Sequence, residues 1–163
     1  MRPPSQAADL MAPFATWLGR WEGEGRGLWE AEPPFRYRET LAIEAVPNRA
    51  LLRLTQRATV LASGDLSHFE VGFLRLLPDQ LVELMVVVPA GYVEIHTGRL
   101  QDGALVLTPQ TISGSPTARP LRLVQRTLEL NHDLLRNAVG IAVGNEEVSK
   151  HVESWLQRAA PTS

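Results

Sequence analysis

The chain has no cysteine. Disulfides, thiolate zinc sites and a cysteine nucleophile are therefore excluded, and a reducing cytoplasm is compatible with the sequence. It also has little excess of charge. The 16 Lys and Arg stand against 18 Asp and Glu, a formal net charge of −2. No strong field draws such a surface to nucleic acid or to an anionic membrane. Long apolar runs are missing too: the longest candidates are broken by Glu83 and Pro89, so no segment reads as a membrane-spanning helix. The N-terminus lacks the charged, apolar and small-residue order of a secretory signal. There is no Gly-x-Ser-x-Gly and no Gly-Lys-Ser/Thr phosphate loop, so the common serine-hydrolase and nucleotide signatures are absent. The expectation is a cytoplasmic protein with no nucleic-acid or membrane partner.

What is present is alternation. The 163 residues suit one domain over 1–163, with an ordered core from about 10 to 159. Residues 1–8 read as a loose tail. Leu10, Met11, Phe14, Trp17 and Leu18 recur at helical spacing, which predicts a short amphipathic helix ended by Gly19. Beyond Gly19 the period changes to two. Strands are predicted over 20–30, 35–46, 50–60, 66–77, 81–88, 92–100, 104–112, 120–130 and 134–143. Turn signals separate them, among them Pro33-Pro34, Pro47-Asn48, Ser63-Gly64-Asp65, Pro89-Ala90-Gly91 and Asp102-Gly103. The segment after Asn145 fits either a helix capped by Asn145 or a last strand over 151–158; the strand is preferred, because it can pair with the first and remove both edges. The fold class expected is all-β: an antiparallel, up-and-down barrel of ten strands, lipocalin or fatty-acid-binding-protein-like, with a short N-terminal helix. No helix-length segment interrupts the strands, so a parallel βαβ architecture is excluded.

Several strands carry polar residues at both parities. Glu39, Glu70, Glu94, His68 and His96 interrupt otherwise regular patterns. Either they line a cavity inside the barrel, or they face solvent. The segment Gly19-Arg20-Trp21-Glu22-Gly23-Glu24-Gly25-Arg26-Gly27 leaves one strand face almost without side chains. Glycine in a strand marks a bend or a close approach, here a barrel corner or a flat aromatic body pressed on the backbone. Glu22 and Glu24 read as a solvated face. The histidines His68, His96, His132 and His151 stand at no short zinc spacing, and His132 lies in a turn.

The order of these motifs resembles the nitrobindin family, over about the whole chain from Phe14 to Arg158. The family's Gly-x-Trp-x-Gly-x-Gly-x-Gly element is matched by Gly19, Trp21, Gly23, Gly25 and Gly27, followed by Trp29 and by Phe35-x-Tyr37 with Glu39. Thr55-Gln56, the stretch His68, Glu70, Gly72, Phe73 and Arg75, and then Gly91, Val93, Glu94 and Gly98 follow in order. A late family histidine is matched by His151, with Val152, Ser154 and Leu156 behind it. The resemblance implies a barrel holding haem b, with His151 as the protein ligand to iron. Gly19, Trp21, Gly23, Gly25, Ala31 and His68 are the further cofactor-binding candidates. Ala31 stands where the family has a threonine near the haem, and it cannot donate that hydrogen bond; Lys150 stands where a proline often precedes the histidine. The implied ligands are nitric oxide and peroxynitrite, with isomerisation of peroxynitrite to nitrate as the implied activity. A haem-free carrier of a small apolar or fatty-acid-like molecule is the alternative. A second copy of the chain, docked on the apolar face of the N-terminal helix, is a candidate partner.

Overall fold

The computed structural model describes residues 4–29, 32–143, 147 and 150–160. Among these, no helix is long and apolar enough to cross a membrane. Helix α1 (Pro4–Met11) leads into a 3-10 segment (Ala12–Trp17). The ten strands are β1 (Gly19–Trp29), β2 (Glu32–Ala45), β3 (Leu51–Val60), β4 (Leu66–Leu76), β5 (Leu81–Val88), β6 (Tyr92–Gln101), β7 (Ala104–Gly114), β8 (Leu121–Asn131), β9 (Leu134–Val143) and β10 (Lys150–Arg158). Every neighbouring pair is antiparallel, and β10 pairs back on β1, so the sheet closes. Closure gives both terminal strands a partner and so removes the edges an open sheet would present.

The expected strands are found with ends shifted by a few residues at most, and the segment from His151 is a strand. Asn145, the cap of the helical alternative, lies outside the described residues. The N-terminus differs from expectation in two ways. Helix α1 begins at Pro4, inside the expected tail. The single helix expected from Leu10 to Leu18 is split, because Pro13 has no N–H for an α-helical bond and disfavours α geometry at Ala12.

The barrel interior is layered. At one end Trp21, Leu52, Leu76, Leu105, Leu135 and Leu156 form a closed apolar core, capped by Phe14 and Trp17. Trp21 Nε1 donates to the Trp17 carbonyl at 2.9 Å. Arg158 donates to the carbonyls of Leu18 and Thr16 at 2.6 and 2.7 Å and lies 4.3 Å from the Trp21 ring centroid. These contacts fix the N-terminal segment over that end of the barrel.

Further along, the core becomes polar: Glu39, Gln56, Glu70, Glu94, His96, Arg126, Asn137 and Ser154 are all buried. On β6 the parity is the reverse of a simple apolar-in pattern. Tyr92, Glu94 and His96 point inward, while Val93 and Ile95 are exposed. The pairing of β7 with β8 covers only Ala104↔Glu129 to Leu107↔Arg126. Beyond it the two strands part, and Pro109, which has no N–H for a ladder, sits just past the last pair. This parting helps open the second end of the barrel.

Candidate functional site

The open end holds a cavity of about 300 Å³, at the lower end of the range of small-molecule sites, about 300–1,000 Å³. Its walls are mostly apolar and aromatic, with Phe35 and Tyr37 from β2, Val88 from β5, Tyr92 from β6, Val139 from β9 and Val152 from β10. Its polar part is a set of side chains tied to one another. Arg126 of β8 donates to both oxygens of Glu70 of β4, at 2.7 and 2.9 Å, and through Nε to Glu94 of β6 at 2.9 Å. His68 Nε2 lies 2.9 Å from Glu70, and His96 Nε2 lies 2.8 Å from Glu94. Burial alone would raise both carboxyls, but the Arg126 charge and the bonds to the histidines outweigh it. Glu70 is brought down to about 2, and Glu94 is lowered as well. Both therefore stay ionised inside the barrel.

Glu39 behaves in the opposite way. It is buried, and desolvation pushes it up to about 7, against the Asn137 bond and the nearby Ser154 hydroxyl that pull it down. Asn137 Nδ2 donates to its Oε1 at 2.7 Å. The Ser154 hydroxyl lies beside Glu39 and Tyr37 but reaches no bond of standard geometry. Burial and the nearby Glu39 also raise Tyr37, so its phenol stays protonated.

The glycines of β1 have their use here. A Cβ on Gly25 would lie 2.3 Å from Tyr37 Cζ, and one on Gly27 would lie 2.2 Å from Phe35 Cε1. The register places Gly25 opposite Tyr37 and Gly27 opposite Phe35. The aromatic bodies pressed on the glycine track therefore include the protein's own Phe35 and Tyr37, which pack against β1 and form a wall of the cavity. A Cβ on Gly23 would meet the Trp155 carbonyl of β10 at 2.0 Å, so that glycine serves the close β1–β10 approach.

Of the residues singled out from sequence, His68 lines the cavity. Gly19, Trp21, Gly23 and Gly25 are absent from its described lining; Trp21 sits in the closed end, and Gly25 acts through Tyr37. Ala31 lies outside the described residues. His151 follows Lys150 at the start of β10, its backbone between Leu28 of β1 and Gly140 of β9, next to the cavity-lining Val152. Its side chain lies outside the described residues. Sequence reading missed Arg126, Asn137 and Arg119, which also lines the cavity. An arginine in line with Val124 and Leu128 on the inward face of its strand, with nearby strands carrying inward carboxylates, is the signal that could have found Arg126.

Fold and site together define a closed antiparallel barrel built to hold a small ligand at one end. The chain belongs to the family described as THAP4-like, heme-binding beta-barrel domain, whose profile matches residues 10–158. It is 32% identical to a protein named peroxynitrite isomerase 1 of Rhodococcus jostii, over 96% of this chain and 86% of that one. It is 31% identical to a peroxynitrite isomerase of Streptomyces griseus, over 99% of this chain and 91% of that one. Among solved structures it resembles Rv2717c of Mycobacterium tuberculosis, with a TM-score of 0.83 and 25% identity over 93% of this chain and 98% of that one.

The described walls fit the family's cofactor in chemistry. Apolar and aromatic side chains suit the faces of a macrocycle, the charged groups below them are already paired, and Arg119 adds a cation to the lining. Val139, Val152 and the rings of Phe35 and Tyr37 would hold haem by its faces.

Proposed function

We propose that the chain binds haem b in this cavity with His151 as the protein ligand to iron, binds nitric oxide there, and isomerises peroxynitrite to nitrate. The carrying observation is the cavity itself, apolar over a hydrogen-bonded polar floor, adjoining the strand that begins with Lys150 and His151. The relatives' names and the family support the same reading.

Bound haem supplies the iron centre at which peroxynitrite is converted. The chain supplies the rest. Phe35 and Tyr37 shape the chamber and exclude water from it. Arg126 and its two carboxylates fix the floor through three hydrogen bonds, which hold β4, β6 and β8 in place beneath the chamber. The alternative of a fatty-acid carrier finds no free anchor in Arg126. The Arg126 guanidinium already meets two carboxylates and has no charge to spare for a third.

Hemin titration tests the reading. The purified chain is expected to take up hemin with a Soret band that shifts on adding nitric oxide, and to raise the yield of nitrate from peroxynitrite. His151→Ala is expected to lose the ligand-dependent spectrum. A spectrum unchanged by that substitution overturns the assignment.

A further inference from the structure

The charges inside the barrel do not balance among themselves. Glu70 and Glu94 are two carboxylates facing one guanidinium, Arg126, which leaves one negative charge over. Among the described residues, two other titratable groups hydrogen-bond to this cluster, His68 on Glu70 and His96 on Glu94. One imidazole proton closes the balance. An uncompensated buried charge is expensive, so the balance is expected to be met.

The two rings are not equivalent. His96 is fully buried, and its Nδ1 has no hydrogen-bond partner. As a neutral ring donating from Nε2, it leaves only an acceptor unmade. As an imidazolium it would strand a charged N–H in the core, which costs more. His68 is partly exposed, at 37% of its side-chain surface, and lines the cavity. Its second nitrogen can be served by solvent or by a ligand. The other charged neighbours of His68 come from three elements, Glu39 on β2, Arg126 on β8 and Glu94 on β6. Strand β3 brings only Ala58 and Gln56 to that side.

We propose that His68 carries the compensating proton and presents it to the cavity as a hydrogen-bond donor for a small anion of the nitrite or nitrate class. Glu70 holds the ring from behind through Nε2, and Arg126 holds Glu70. Arg119 adds a second cation to the same chamber. The proposal rests on the reading of the cavity as the ligand chamber, and it adds an anion-orienting residue to it.

The test uses the purified full chain, labelled with 15N-histidine, before and after loading with hemin. At neutral pH the His68 ring is expected to show both N–H groups and the His96 ring only one. Added sodium nitrite is expected to shift the His68 signals, and His68→Gln, which keeps a donor for Glu70 but no charge, to weaken nitrite binding about tenfold. A doubly protonated His96 beside a neutral His68 overturns the proposal, as does nitrite binding that His68→Gln leaves unchanged. If hemin binds and nitrite leaves His68 unmoved, this proposal falls and the haem reading stands. If nitrite shifts His68 and hemin is not taken up, the haem reading falls instead.

Discussion

Arg126 grips the Glu70 carboxylate through both terminal nitrogens, at 2.7 and 2.9 Å, and so ties β8 to β4 across the barrel interior. Its Nε does the same for Glu94 of β6. Three strands that are far apart in sequence thus meet at one guanidinium. Replacing such a cluster wholly by apolar groups can be neutral, but removing one partner leaves the others uncompensated. Arg126→Met is therefore expected to cost about 3–5 kcal/mol, measured as a fall in the guanidinium midpoint at constant slope. Adding Glu70→Gln to that variant should recover part of the loss. A single-variant loss under about 1 kcal/mol, the size of an exposed pair, would show that these charges are solvated.

Gly25 acts through the ring laid against it. A Cβ there lies 2.3 Å from Tyr37 Cζ and 2.7 Å from the Glu153 carbonyl, and backbone cannot yield as a side chain can. Gly25→Ala is expected to push Tyr37 toward the cavity, cost about 1–3 kcal/mol, and weaken hemin uptake about tenfold or more. Titration with hemin at a temperature where the variant remains folded separates the two effects. Unaltered uptake would mean that Tyr37 is not a wall of the binding chamber.

Trp21 offers the contrasting case. Its indole donates to Trp17 and carries the Arg158 guanidinium over its ring, at the end of the barrel away from the cavity. Trp21→Phe loses that hydrogen bond, worth about 1 kcal/mol, and should speed amide exchange in the segment from Ala12 to Leu18. Hemin uptake should be unchanged. A large loss of uptake would return Trp21 to the cofactor-binding residues.

The strand order was legible because the first nine strands announce themselves by composition and alternation and the turns by Gly, Pro, Asn or Asp, whereas β10 fitted a helix as well and was chosen because it could close the sheet. Which face pointed inward was harder to read. On β6, hydrophobicity argues for Val93 and Ile95 inside, yet Glu94 and His96 occupy the interior because Arg126, on β8, completes their hydrogen bonds. Alternation fixes the period of a strand, but its parity was decided here by a partner on another strand. The glycine track of β1 was visible for the same reason as the strands, whereas its occupants depend on the β1–β2 register, which places Gly25 by Tyr37 and Gly27 by Phe35. The early start of α1 at Pro4 went unread because residues 4–8 carry no helical apolar period of their own.

Glu39 sets a pH dependence that can be read without any ligand. Burial pushes its carboxyl from the ordinary 4.5 up to about 7 in the folded chain. Between those two values the folded state holds more protons than the unfolded one, so stability falls as pH rises across that interval and levels off above it. A shift of this size corresponds to about 3 kcal/mol. Glu70 has the opposite sign, since its lowered carboxyl adds stability that is lost only as pH falls from about 4.5 toward 2. The two effects therefore occupy separate windows. In Glu39→Gln the amide oxygen can still accept from Asn137, as Glu39 Oε1 does at 2.7 Å, but nothing titrates there. The variant should gain on the parent between pH 5 and 8, with a difference that grows toward alkaline pH. Urea unfolding of both proteins across that range measures it, and two parallel curves would mean that Glu39 ionises as freely in the folded barrel as in the unfolded chain.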